Sequence, residues 1–101
     1  MFHTINIVTP MEGREQRVRE MLDHLVSEVQ KNEPDAISFR AVWDADAGVF
    51  YVIEKFANEA AWLRHRDQPY TAELRRVSRE EHNLAKKVEV RTVESFAEFA
   101  R

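Results

Sequence analysis

Between residues 3 and 93 the apolar side chains keep switching between two spacings, and this constrains the fold more than any other feature. In 3–9, HTINIVT, they alternate: Ile5 and Ile7 take one face, and Thr4, Asn6 and Val8 the other. After "PMEG" the period becomes helical from about Glu12 to Asn32, with Val18, Met21, Leu22, Leu25, Val26 and Val29 in one stripe. Pro34 ends that helix, because the residue before a proline is pushed away from helical angles. Alternation returns in 36–44, AISFRAVWD, which puts Ile37, Phe39, Ala41 and Trp43 on one face. The turn ADAG (45–48) predicts a hairpin into a return strand, 49–56, VFYVIEKF. Asn58 is a good N-cap for a short helix holding Ala60, Ala61, Trp62 and Leu63. Asp67 or Gln68 caps a further helix that starts at Pro69, with Tyr70, Leu74, Val77 and Leu84 as its buried stripe. Residues 86–93, KKVEVRTV, read as a last strand. The tail 94–101 reads as one helical turn, with Phe96 and Phe99 seeking cover.

The order β-α-β-β-α-α-β, with right-handed crossovers, predicts an α+β fold of ferredoxin-like type. It is a four-stranded antiparallel sheet with its helices on one face. At 101 residues the chain reads as one domain spanning 1–101. Strand 49–56 is apolar on both faces: Val49, Tyr51 and Ile53 on one, Phe50, Val52 and Phe56 on the other. Helices can cover only one face. The other predicts a homodimer packed sheet to sheet through the open face.

Composition removes several function classes. There is no cysteine, hence no disulfide, thiolate nucleophile or cysteine-held metal. Two glycines cannot build a phosphate-binding loop. The net charge of −3 speaks against a nucleic-acid partner, and the arginines of 64–79 are interspersed with acids as on a solvated helix face. No apolar run is long enough to span a membrane, and the first residues lack a signal-peptide pattern, so the expectation is a cytoplasmic protein. His3, His24 and His82 make no metal-binding spacing, and neither metal nor other cofactor is expected. "SREE" (78–81) fits a capping box but reads better as part of the last helix.

The segment NEPDAISFRAVWDADAGVFYVIEKFANEAAWLRHRDQPYTAEL resembles the central block of the antibiotic biosynthesis monooxygenase family. The matching features are Glu33–Pro34, Phe50–Tyr51, Glu54, Ala60–Ala61 with His65, and Pro69–Tyr70. Phe56 stands where that family usually has Trp, and Trp62 where an aliphatic residue is usual. The resemblance implies a dimeric α+β barrel with a pocket between sheet and helices in each subunit. It also implies, for some members, oxidation of phenols or quinols by O2 without metal or flavin.

Within that frame His65 is the candidate catalytic base, since imidazole exchanges protons near neutral pH. Spacing alone favours a histidine resting on the carbonyls of a helix end, and it is the family position that brings His65 to the pocket. Glu54 shares an apolar face, so it is either a base or orienter for His65, or one half of a salt bridge to Arg40. Asn6, mid-strand against its propensity, could hold a substrate oxyanion or face solvent at a dimer edge. Trp62, Tyr70 and Tyr51 could wall a flat substrate or serve as core, and Arg40 could hold an anionic group or lie exposed. The resulting expectation is a cofactor-independent monooxygenase or oxidase for a small aromatic or quinol-type metabolite. Three rivals remain: a non-catalytic ligand-binding or stress-response protein of this fold, an isomerase using His65, and a haem-degrading protein, against which 70–77 offers no axial histidine and His82 lies too far along.

Overall fold

The computed structural model describes residues 1–80 and 84–101. Its elements are β1 (Phe2–Pro10), α1 (Glu15–Asn32), β2 (Ala36–Asp44), β3 (Val49–Phe56), α2 (Glu59–Arg66), α3 (Pro69–Glu80) and β4 (Ala85–Val93). The four strands form one antiparallel sheet in the order β2-β3-β1-β4, with β3 and β1 central. This is the ferredoxin-like α+β arrangement expected from the alternation of periods. The β2–β3 hairpin closes through Asp44, which accepts the Gly48 N–H on its carbonyl at 2.8 Å and the Ala47 N–H on its carboxylate at 3.0 Å. Gly48 takes a positive φ of 67°, which a side chain would resist.

Helix α1 lays Val18, Leu22, Leu25 and Val29 onto Phe50 and Val52 of β3, with Phe39, Ala41 and Trp43 of β2 packed beside them. Each such side chain contributes roughly 1.5–3 kcal/mol by leaving water. Asn58 caps α2 as expected, its Oδ1 accepting the Ala61 N–H at 2.9 Å. Helix α3 packs on α1 rather than over β4. Val88 and Val90 therefore stay 57% and 58% exposed, although they face the helix side of the sheet.

Three expectations change. Ile37 does not join Phe39, Ala41 and Trp43. A register shift between Ala36 and Ser38 inserts it as an extra residue, so Ala36 takes the core position and Ile37 is left half exposed. Leu84 is fully buried but follows α3 instead of belonging to it; its carbonyl accepts the Met11 N–H at 2.8 Å. The tail forms no helical turn, and Phe96 and Phe99 are exposed. Of "SREE", residues 78–80 lie in α3 as expected, while Glu81, like His82, lies outside the described residues.

Candidate active site

A line of polar groups crosses the interior, from α3 through α1, α2 and β3 to β1. It starts at Tyr70, whose hydroxyl donates to Glu33 Oε2. Glu33 caps the C-terminus of α1; its backbone N–H still bonds to the Val29 carbonyl at 2.9 Å, and Pro34 then turns the chain away. A carboxylate at the negative end of a helix dipole, buried as Glu33 is, needs donors. Tyr70 is one. His65 is the other, with Nδ1 at 3.0 and 2.9 Å from the two carboxylate oxygens.

His65 occupies the inward face of α2 with Ala61, one turn earlier, and both are buried. Its ring lies between Phe39 (5.3 Å) and Phe56 (5.4 Å). With Nδ1 committed to Glu33, the tautomer is set and Nε2 is the ring's accepting side. Nε2 points towards Glu54 Oε1, 3.9 Å away.

Glu54 is 2% exposed, directly opposite Thr4 of β1 and Phe39 of β2. Burial pushes its pKa from the ordinary 4.5 up to about 8, and the Glu33 charge acts in the same direction. The Thr4 hydroxyl opposes both, close enough to favour the charged form, yet not in a geometry that completes a hydrogen bond. Glu54 Oε2 accepts from Asn6 Nδ2 at 2.6 Å. Among the described residues, Thr4 Oγ1, Asn6 Oδ1 and Glu54 Oε1 are buried atoms without a hydrogen-bond partner. Three such atoms around one carboxyl are positions where a water or a ligand group would bond. Tyr70 and Asn6, the half-buried ends, are where the line meets the surroundings.

The residues singled out in the sequence divide cleanly. His65, Glu54 and Asn6 come together, and Tyr70 joins them through Glu33 rather than as a flat wall. Trp62 lies against Phe2, with ring centroids 5.0 Å apart, and carries the Arg66 guanidinium at 5.2 Å. Tyr51 lies on the open sheet face and donates to Asp44 at 3.1 Å. Arg40 pairs in register with Ile53, on the face opposite to Glu54, so the Glu54–Arg40 salt bridge does not form. Glu33 carried no assigned role in the sequence. Nothing in the spacing marked it, because an acid at a helix end is ordinary. Among the described residues no cluster of three or more histidines and acids is placed to hold a metal ion. None of the described helices is long and apolar enough to cross a membrane.

Beside Asn6 the next inward-facing residue of β1 is Val8, about 7 Å along the strand. Val8 forms part of the wall of an apolar cavity of about 260 Å³ between α1, α3 and the β1–β4 pair. A buried polar line and an apolar cavity, both held between one sheet and its helices, define a class: small α+β proteins with a site enclosed between sheet and helices. The chain belongs to the antibiotic biosynthesis monooxygenase family, whose model matches residues 1–77. Solved structures agree on the fold. Rv0793 from Mycobacterium tuberculosis superposes with a TM-score of 0.84 at 21% identity, covering 98% of each chain. PA3566 from Pseudomonas aeruginosa gives 0.81 at 24%, covering 95% of this chain and 94% of its own. A structure described as an antibiotic biosynthesis monooxygenase gives 0.82 at 17%, covering 96% and 100%. No curated protein matches the chain in sequence.

Proposed function

We propose that this protein is a cofactor-independent monooxygenase for a small aromatic or quinol-type molecule, with His65 as the final proton acceptor. The observation that carries this reading is the buried line Glu33–His65–Glu54–Asn6, hydrogen-bonded except for the 3.9 Å step between His65 and Glu54, with its Asn6 end two residues along β1 from Val8 in the wall of an apolar cavity. Glu54 holds a proton at neutral pH, its Oε1 turned to His65 and its Oε2 to Asn6. A substrate hydroxyl docked at Asn6 loses its proton to Glu54 as Glu54 passes its own to Nε2. The imidazolium so formed is held by Glu33, in the manner of a base supported by a carboxylate. The second N–H of Asn6 Nδ2 meets the phenolate oxygen, where a hydrogen bond in apolar surroundings is strongest. The electron-rich phenolate then adds O2 at a ring carbon. Loss of water from the peroxide leaves a carbonyl, with one oxygen atom in the product and the other in water.

Trp62, Tyr51 and Arg40 have no part in this scheme. Tyr51 and Arg40 belong instead to the surface through which a homodimer would form, packed on Ile5, Ile7, Val42 and Ile53 of the uncovered face. β4 lies beyond the matched stretch but hydrogen-bonds along β1, which supports reading 1–101 as one domain.

The test is O2 uptake by metal-stripped protein on hydroquinones and hydroxylated polycyclic aromatics, beside His65→Ala. Uptake that needs no added cofactor and collapses in the variant supports the reading. Uptake indifferent to the substitution removes His65 as the base.

A further inference from the structure

The cavity lined by Val8, two residues along β1 from Asn6, has an uneven wall. Val8, Met21, Leu22, Leu74, Leu84 and Val88 make most of it. The exceptions are Arg75 and Ser78, which both come from α3 and stand three residues apart on one side of it. An apolar cavity of roughly 150 Å³ stays dry and takes up benzene. A cavity of about 260 Å³ has room for more than one ring. Among the described residues, the Arg75 guanidinium donates to the Arg66 carbonyl at 3.1 Å, a contact that uses one of its five N–H groups. The neighbouring acid on α3, Glu73, does not neutralise it: Glu73 pairs with Arg76 and lines the groove on the other side of the helix, against α1.

We propose that this cavity selects flat, one- or two-ring molecules bearing an acidic oxygen group, a carboxylate foremost, with Arg75 and Ser78 as the residues that recognise it. The inference deepens the reading of the same site as an oxygenase. The acid group sits against α3, the rings lie among the apolar side chains, and the far edge of the molecule is turned along β1 towards Asn6. Arg75 lines this apolar hollow, and its flexible side chain can bring the guanidinium to an anion held there, where the hydrogen bonds are charge-assisted and the apolar wall lowers the dielectric.

The probes are 2-naphthoate and its uncharged near-isostere 2-naphthamide, titrated by calorimetry and followed through methyl NMR signals. Naphthoate should bind about tenfold more tightly or better, the size expected of one charge-assisted hydrogen bond. It should shift the methyls of Val8, Leu74 and Val88, and the preference should fade at high salt. Arg75→Gln, a change at an exposed position that spares the fold, should bring the two affinities together. Equal binding in the unaltered protein, or a preference that survives Arg75→Gln, would overturn recognition of the acid. Neither compound moving those methyls would overturn the cavity as the binding site. The oxygenase reading stands or falls separately, on His65-dependent O2 uptake.

Discussion

The two faces of β3 invert what stability alone would choose. On the side covered by helices Phe50, Val52 and Phe56 are buried, and an acid, Glu54, stands among them at 2% exposure. On the uncovered side Tyr51 and Ile53 are only half-buried, continued by Ile5 and Ile7 of β1. Burying a carboxyl costs several kcal/mol unless it is neutral or partnered, whereas exposing a few aliphatics costs little in a monomer. A polar group retained in the driest place points to chemistry. An apolar surface retained in the wettest place points to a partner.

The largest expected effect comes from the buried face. Under the proposed mechanism His65→Ala should lower the O2-consumption rate by a factor of about 10²–10⁴, the usual worth of a positioned base. Glu54 makes a second test through pH. Its folded-state pKa of about 8 lies above the ordinary 4.5, so the folded protein keeps a proton that the unfolded chain releases. Stability is therefore greatest below pH 4.5, as far as this group is concerned. It falls by up to about 1.4 kcal/mol per pH unit as pH rises towards 8, and then levels off. Glu54→Gln keeps a neutral group of the same shape and should flatten that slope in denaturant titrations run from pH 5 to 9. An unchanged slope would mean that Glu54 is ionised in the folded protein.

The fold was legible because it rests on local periodicity. Every element was visible in the spacing of apolar residues, down to the Asn58 cap. The bulge at Ile37 was not, because one inserted residue leaves an alternating sequence looking regular; only the pairing of Ser38 with Lys55 reveals it. For the site, Glu54 and Asn6 were detectable because a polar residue on an apolar strand face breaks a pattern. Glu33 was hidden because it sits at a helix end, where acids are ordinary, and its partners come from 32 and 37 residues away. The resemblance implied a pocket between sheet and helices, but its lining could not be read from spacing, since it arises from α3 leaning on α1 and leaving β4 uncovered.

The open face is tested by charge. Ile53 lies at its centre, between Ile5 and Arg40 in register. Ile53→Lys changes a half-buried side chain and should cost the monomer little. If two copies pack through this face, however, it buries a charge in each, and the mass measured by light scattering should fall from dimer to monomer. A protein already monomeric before the substitution would break the comparison on this side, leaving these aliphatics as ordinary exposed surface.

The smallest effects give the sharpest contrast, because one chemical change can be made on both faces. Tyr70 and Tyr51 each donate a hydroxyl hydrogen bond to a carboxylate, Glu33 and Asp44 respectively. Both phenols are pushed up in pKa, Tyr70 by burial first and then by Glu33, Tyr51 by its bond to Asp44. The carboxylates differ. Glu33 is buried, and without Tyr70 it keeps His65 as its remaining side-chain donor, so Tyr70→Phe should cost about 1–2 kcal/mol and lower the midpoint of denaturant unfolding. Asp44 is held also by the Ala47 N–H, the first cause of its lowered pKa, with water at hand. Tyr51→Phe should accordingly leave the midpoint nearly where it was. Equal losses would mean that Glu33 is solvated like Asp44, and the interior line would lose the dryness on which its chemistry depends.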